Sequence, residues 1–98
     1  MIDTQEKIQL VFDTLSKIVI QKNEQYGDSA ITPLGIFCKS ANYQQIASRL
    51  DDKLLRLKNL DTNSAAFRDT VVDLMGYLCL LIISKGWEND IKKGLDDN

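Results

Sequence analysis

Histidine is absent from this chain of 98 residues, so imidazole general bases, His-ligated metals and Ser-His or Cys-His triads are excluded within it. Cysteine is scarce. Cys38 and Cys79 lie 41 positions apart in apolar runs, which is no zinc spacing, and both read as reduced core residues. A long apolar run is also missing. The longest, Val71 to Ile83, contains Asp73 and is too short to cross a bilayer. The N-terminus Met-Ile-Asp-Thr-Gln-Glu-Lys has no charged region followed by an apolar core, so no signal peptide is expected. Nor is positive charge in excess. The net charge is −2, which argues against broad nucleic-acid binding and leaves room only for a local basic stripe. These absences predict a soluble, cytoplasmic protein with no membrane partner.

What is present is ordinary for a globular chain, with 44% apolar residues. The length fits one domain, 1–98. A domain this small buries only roughly 60–65% of its unfolded surface. Asp3 or Thr4 can cap a first helix to about Tyr26, with Ile8, Val11, Phe12, Leu15, Ile18 and Val19 at three-and-four spacing. Gly27 is the expected stop. Thr32-Pro33 reads as N-cap and N1 of a short helix through Phe37 or Cys38. Ser40 or Asn42 starts a third helix to about Asn59, its apolar positions Ile46, Leu50, Leu54 and Leu57. Asp61-Thr-Asn63 is a turn. Ser64 caps a fourth helix, Ala65 to about Lys85, which is apolar nearly all round and should therefore be central. Gly86 ends it. Residues 87–98 read as a polar tail, frayed or partly helical, with Trp87 docking back. No period-2 strand pattern, repeat or low-complexity tract is visible. The expected fold is all-α: a compact helical bundle of three long helices and one short one. The nearly all-apolar fourth helix needs more cover than two partner helices give, so a homo-oligomer, dimer or higher, is expected.

Three charged constellations stand out. Lys22-Asn-Glu24-Gln-Tyr26-Gly27-Asp28-Ser29 closes the first helix. It reads either as a solvated C-cap complementing the helix dipole, or as a site in which Lys22 meets phosphate, Glu24 or Asp28 meets a metal and Tyr26 stacks on a base. Arg49, Lys53 and Arg56 share one helical face, and Asp52 stands four residues before Arg56. That face is either solvated and self-paired or a carboxylate- or phosphate-recognising stripe. Asp69, Asp73 and Tyr77 follow at i, i+4 and i+8, one face again. Asp69 suits a helix N-terminus, but Asp73 sits mid-helix between Val72 and Leu74. A carboxylate there must be paired or metal-bound. Two carboxylates a turn apart, with a third from another helix, could hold Mg²⁺; an interhelical ion pair with Lys53 or Arg56 is the competing reading. Gly76 beside Tyr77 suggests close helix approach and a hydroxyl with a polar partner. Phe67 and Trp87 read as core or interface aromatics rather than base-stacking ones.

The order Lys22-Asn-x-x-Tyr26-Gly27-Asp28-Ser29, then Arg49-Leu-Asp-Asp-Lys53-Leu-x-Arg56-Leu, then Asp69-Thr-x-x-Asp73-Leu-x-x-Tyr77 resembles the small phage and bacterial proteins called nucleotide modification associated domain proteins. These look similar in pattern to the MazG-like all-α nucleoside triphosphate pyrophosphohydrolases. The resemblance spans about positions 18 to 82. It implies a helical, usually oligomeric protein that binds or acts on nucleotides, with Mg²⁺ where catalysis survives, and the host cytoplasm as its place if phage-encoded. The chain departs from that pattern at Ala65, where such proteins commonly carry Glu. It holds only three glutamates, Glu6, Glu24 and Glu88, and none of the E-x-x-E pairs of a MazG-type metal site. Fewer hard oxygen ligands mean weaker metal binding.

Two functions from one pocket follow as expectations. The first is capture of a nucleotide or nucleotide signal without turnover, with Lys22, Tyr26, Arg49, Lys53, Arg56 and Tyr77 as ligand-binding residues. The second is Mg²⁺-dependent pyrophosphohydrolysis, with Asp69 and Asp73 on the metal and Glu24 or Asp28 completing its shell. A structural or protein-interaction module is a third reading, supported by the apolar fourth helix and Trp87.

Overall fold

Capping residues set where the helices begin. The computed structural model describes residues 3–28, 31 and 42–96. In it α1 spans Thr4–Gln25, α2 Asn42–Asn59, α3 Ala65–Ser84 and α4 Glu88–Asp96, with no strand among the described residues. The chain is all-α. The Asp3 carboxylate accepts the Glu6 backbone N–H at 2.8 Å. The Ser64 hydroxyl accepts that of Phe67 at 3.1 Å and donates to the Asp61 carbonyl at 2.7 Å. Each cap satisfies an N-terminal donor that has no partner within its helix, at a typical value of about 1 kcal/mol.

The ends of α1 and α3 are built alike. Gly27 N–H reaches the Glu24 carbonyl at 3.4 Å and Asp28 N–H the Asn23 carbonyl at 3.1 Å. Gly86 N–H reaches Ile83 at 2.9 Å and Trp87 N–H reaches Ile82 at 3.1 Å. Both are Schellman closures, which place the residue after the cap in the left-handed region. Gly27 and Gly86 occupy it at φ 64° and 69°.

α2 and α3 form an antiparallel hairpin, the most extensive helix contact of the described residues. Tyr43 meets Lys85, Arg49 meets Tyr77 and Lys53 meets Asp73, each step forward on α2 being a step back on α3. Ile46 and Thr70 are buried in this seam. The Thr70 hydroxyl donates to the Ala66 carbonyl at 2.7 Å, so its burial leaves no polar group unmet.

α1 packs on α3 along a shorter stretch, also antiparallel, pairing Lys22 with Asp73 and Val19 with Gly76. A Cβ on Gly76 would lie 3.3 Å from Val19 Cγ2; the missing side chain lets the helices approach. α3 is therefore the common partner of α1 and α2, the central place that its apolar composition predicts.

Several expectations need correction. Of the two readings of the C-terminal segment, frayed or partly helical, the helical one is found: Glu88–Asp96 form α4. Trp87, Ile91 and Leu95 at four-residue spacing give it an apolar stripe, and Glu88 and Asp90 in the first turn and Lys93 in the last complement its dipole. Leu54 is exposed rather than in the core, because it falls on the edge of the α2 stripe, whose centre is Ile46, Leu50 and Leu57. Cys79 is a free, exposed thiol rather than a buried one. The apolar face of α1 is covered only in its C-terminal half, leaving Ile8, Val11 and Phe12 exposed. The short helix expected at 33–38 lies outside the described residues. The arrangement is also more open than a compact bundle. Its radius of gyration is 15.4 Å, against about 13 Å for a compact chain of this length. No helix among the described residues is long and apolar enough to cross a membrane.

Candidate functional site

The three helices meet around Asp73. Lys22 Nζ from α1 donates to Asp73 Oδ1 at 2.9 Å, and Lys53 Nζ from α2 donates to Asp73 Oδ2 at 3.2 Å. One α3 carboxylate thus ties both neighbouring helices, each of its oxygens taking one ammonium. Partial burial pushes the Asp73 carboxyl up, but the hydrogen bonds and charges of the two lysines outweigh that and hold it below the usual carboxylate range. The hydrogen bond to Asp73 raises the Lys22 ammonium above its ordinary value. Of the two interhelical ion pairs expected for Asp73, with Lys53 or Arg56, the Lys53 pair is present, and Lys22 is a partner that sequence spacing did not reveal.

A cavity of about 490 Å³ opens over this junction, within the size range of small-molecule sites. Its polar lining is Lys22, Asn23, Tyr26, Arg49, Lys53, Asp73 and Tyr77, and its apolar wall includes Ile18, Val19 and Leu80. Lys22 and Tyr26 reach it because positions 18, 19, 22 and 26 share one face of α1. Arg49 and Lys53 stand a turn apart on α2, as do Asp73 and Tyr77 on α3. Arg49 Nη1 donates to Tyr77 Oη at 3.3 Å, and its guanidinium carbon lies 5.9 Å from the Tyr77 ring centre, within cation–π range. A second, shallower hollow is lined by Arg49, Asp52, Lys53, Arg56 and Tyr77. It shares three residues with the first cavity, so the cationic surface continues from Lys22 to Arg56.

All six residues expected to bind ligand therefore line these two adjoining hollows. The carboxylates expected to bind metal are not gathered in the same way. Asp73 lines the main cavity; Asp69, Glu24 and Asp28 do not. Asp69 accepts from Arg68 Nε at 3.1 Å and its side chain is 67% exposed, against 27% for Asp73. The cause is the length of α1. With Lys22 opposite Asp73, α1 ends near the level of Asp69 and cannot cover it. Among the described residues no three His, Cys, Asp or Glu side chains stand close enough to share a metal ion. Asn23 is a polar lining residue that was not singled out. Its signal was present, since it stands one turn before Tyr26 in the Lys-Asn-x-x-Tyr segment.

The site can do three things chemically. Three cations face one carboxylate in the main cavity, so it attracts anions. The Arg49 fork and the lysine ammoniums can donate to phosphate oxygens. Tyr26 and Tyr77 offer flat faces for a ring. No protein-family model, no curated protein and no solved structure matches the chain.

Proposed function

We propose that this protein binds a nucleotide or a nucleotide-like phosphate ligand in the α1–α2–α3 cavity and holds it without turnover. The observation that carries this reading is the convergence of Lys22, Arg49 and Lys53 with Tyr26 and Tyr77 around one hollow of about 490 Å³. Phosphate oxygens would take the ammonium and guanidinium donors, and the base would lie against a tyrosine ring. Asp73 then serves as an internal counter-ion. It keeps the lysines in place when the cavity is empty, and phosphate competes with it for them. Hydrolysis of the pyrophosphohydrolase type needs hard oxygen ligands for Mg²⁺. Asp73 would have to exchange both lysines for the metal, and its neighbour Asp69 is exposed and paired with Arg68.

A thermal-shift panel of nucleoside mono-, di- and triphosphates and cyclic nucleotides, with and without Mg²⁺, tests the reading. A ligand at 100 times its Kd adds about 2.7 kcal/mol of stability. No shift with any nucleotide overturns it. Product chromatography then separates capture from catalysis: ligand recovered intact supports capture, and repeated release of pyrophosphate or monophosphate overturns it.

A further inference from the structure

The two tyrosines of the main cavity are not equivalent. Tyr77 is engaged: its hydroxyl accepts from Arg49 Nη1 at 3.3 Å, and the Arg49 guanidinium carbon lies 5.9 Å from its ring centre. The Tyr26 ring has no such contact among the described residues, and the residue is 63% exposed. Three of the four cations of the two hollows, Arg49, Lys53 and Arg56, stand on α2. Phosphate therefore finds most of its donors on the α2 side. A ring bound in the same cavity is left with the α1 side and Tyr26.

Beside Tyr26 on that side is Asn23. Val19, Asn23 and Tyr26 follow at i, i+4 and i+7, one face of α1, and all three line the cavity. Asn23 is half-buried, and its side-chain amide has no hydrogen-bond partner among the described residues. Asparagine is among the weaker helix formers, and here its side chain caps nothing. The closure of α1 uses its backbone carbonyl instead, which accepts from the Asp28 N–H at 3.1 Å. Helix stability thus gives no reason for asparagine at this position. The same closure fixes the Tyr26 backbone, whose N–H donates to the Lys22 carbonyl at 2.9 Å. The amide and the ring are therefore carried on one fixed turn.

A flat ring with an amide beside it matches a nucleobase. The amide sets a hydrogen-bond acceptor next to a donor. Adenine answers with its N6 amino donor next to the N7 acceptor, the bidentate pairing that asparagine makes with this base. The Watson–Crick edge of guanine presents two donors, N1–H and N2–H, and calls for a carboxylate. Asp73, the carboxylate that lines the main cavity among the described residues, already gives one oxygen to each lysine. We infer that Asn23 is the base-selecting residue of this site and that it selects adenine, stacked on Tyr26. The inference rests on the nucleotide reading above and adds which end of the ligand lies against which helix.

Isothermal titration calorimetry without added metal tests it, with ATP, GTP, CTP, UTP and inorganic tripolyphosphate as probes. ATP is expected to bind about tenfold or more tighter than the other three nucleotides. Equal affinity for all four, or a preference for another base, overturns the selection and leaves the nucleotide reading standing. No binding of any nucleotide overturns both. Asn23→Leu is expected to remove the preference for ATP and leave tripolyphosphate affinity unchanged; a retained preference overturns the role of Asn23. Tyr26→Ala is expected to weaken all four nucleotides about fivefold or more, as loss of one base–aromatic stack does, and to spare tripolyphosphate. An equal loss for tripolyphosphate overturns the stacking. Should the variants fail to fold, the unaltered protein decides. Purine riboside triphosphate, which lacks the 6-amino group, is expected to bind about tenfold more weakly than ATP, and equal binding overturns the proposal.

Discussion

Lys22 Nζ and Asp73 Oδ1 stand 2.9 Å apart although 51 residues separate them in sequence. The bond joins α1 to α3 at the floor of the cavity, and Lys53 adds α2 to the same carboxylate. Asp73 is therefore the residue whose replacement best distinguishes the functional readings. Asp73→Asn removes the counter-charge and frees both ammoniums for phosphate. Capture predicts a several-fold fall in nucleotide Kd, with no requirement for Mg²⁺. The stability loss should be small, below about 1 kcal/mol for the Lys22 bond because that lysine is half exposed. Isothermal titration calorimetry and urea denaturation measure the two effects. Weaker binding in this variant would count against the counter-ion role.

The same pair fixes a pH window. Asp73 titrates lower in the folded protein than its ordinary 3.8, so its contribution is complete above that value and is lost as pH falls through the lowered folded value. Lys22 titrates higher than its ordinary 10.5, so its contribution is complete below 10.5 and is lost as pH rises through the raised one. The stability difference between the unaltered protein and Asp73→Asn should be flat between these limits and shrink at both ends. Urea midpoints measured against pH check it; a difference that peaks at either extreme contradicts the assignment.

Charge removal from the α2 stripe should cost binding rather than fold. A hydrogen bond to a charged group contributes roughly 1.5–3 kcal/mol, and 1.4 kcal/mol is about tenfold in Kd. Arg49→Gln and Lys53→Gln should each weaken nucleotide binding about tenfold or more. Lys93→Gln on α4, away from both hollows, should leave Kd unchanged. Equal losses in all three would reduce the effect to net charge.

Gly76 governs how closely α1 sits on α3. Gly76→Val places methyl groups where Val19 already stands 3.3 Å from a Cβ, and overpacking of this kind costs about 1–3 kcal/mol. The α2–α3 hairpin should persist while α1 is displaced, and ligand binding should fall because Lys22 and Tyr26 move with it. Hydrogen exchange resolved by helix tests the order of loss.

Most helix ends were legible because each carries its own chemistry: Asp3 and Ser64 cap, and Gly27 and Gly86 stop. The cavity-lining residues were legible for a similar reason. Lys22 and Tyr26, Arg49 and Lys53, and Asp73 and Tyr77 are each four residues apart, so each pair faces one way whatever the tertiary arrangement. What spacing could not give was which helix would cover which. Asp69 shares the face of Asp73, yet only the observed length and register of α1 leave one exposed and the other paired twice. The Lys22 pair depends on the same register. The apolar face of α1 is plain in its three-and-four spacing, but nothing in that pattern tells that only half of it meets α3. α4 was legible only as one of two alternatives, because polar composition weighs against three well-spaced apolar residues.

The docking of α1 on α3 also sets an order of events during synthesis. α1 is complete while the residues it must meet are still unmade: Asp73 follows Lys22 by 51 positions. At about 5–20 residues per second, the interval is roughly 3–10 s. During it the newly made helix has no α3 to lie against, and the α2–α3 hairpin, whose contacts are the more local, can close as soon as it emerges. Of the three helices packed around Asp73, the one translated before the other two is thus the last to find its place.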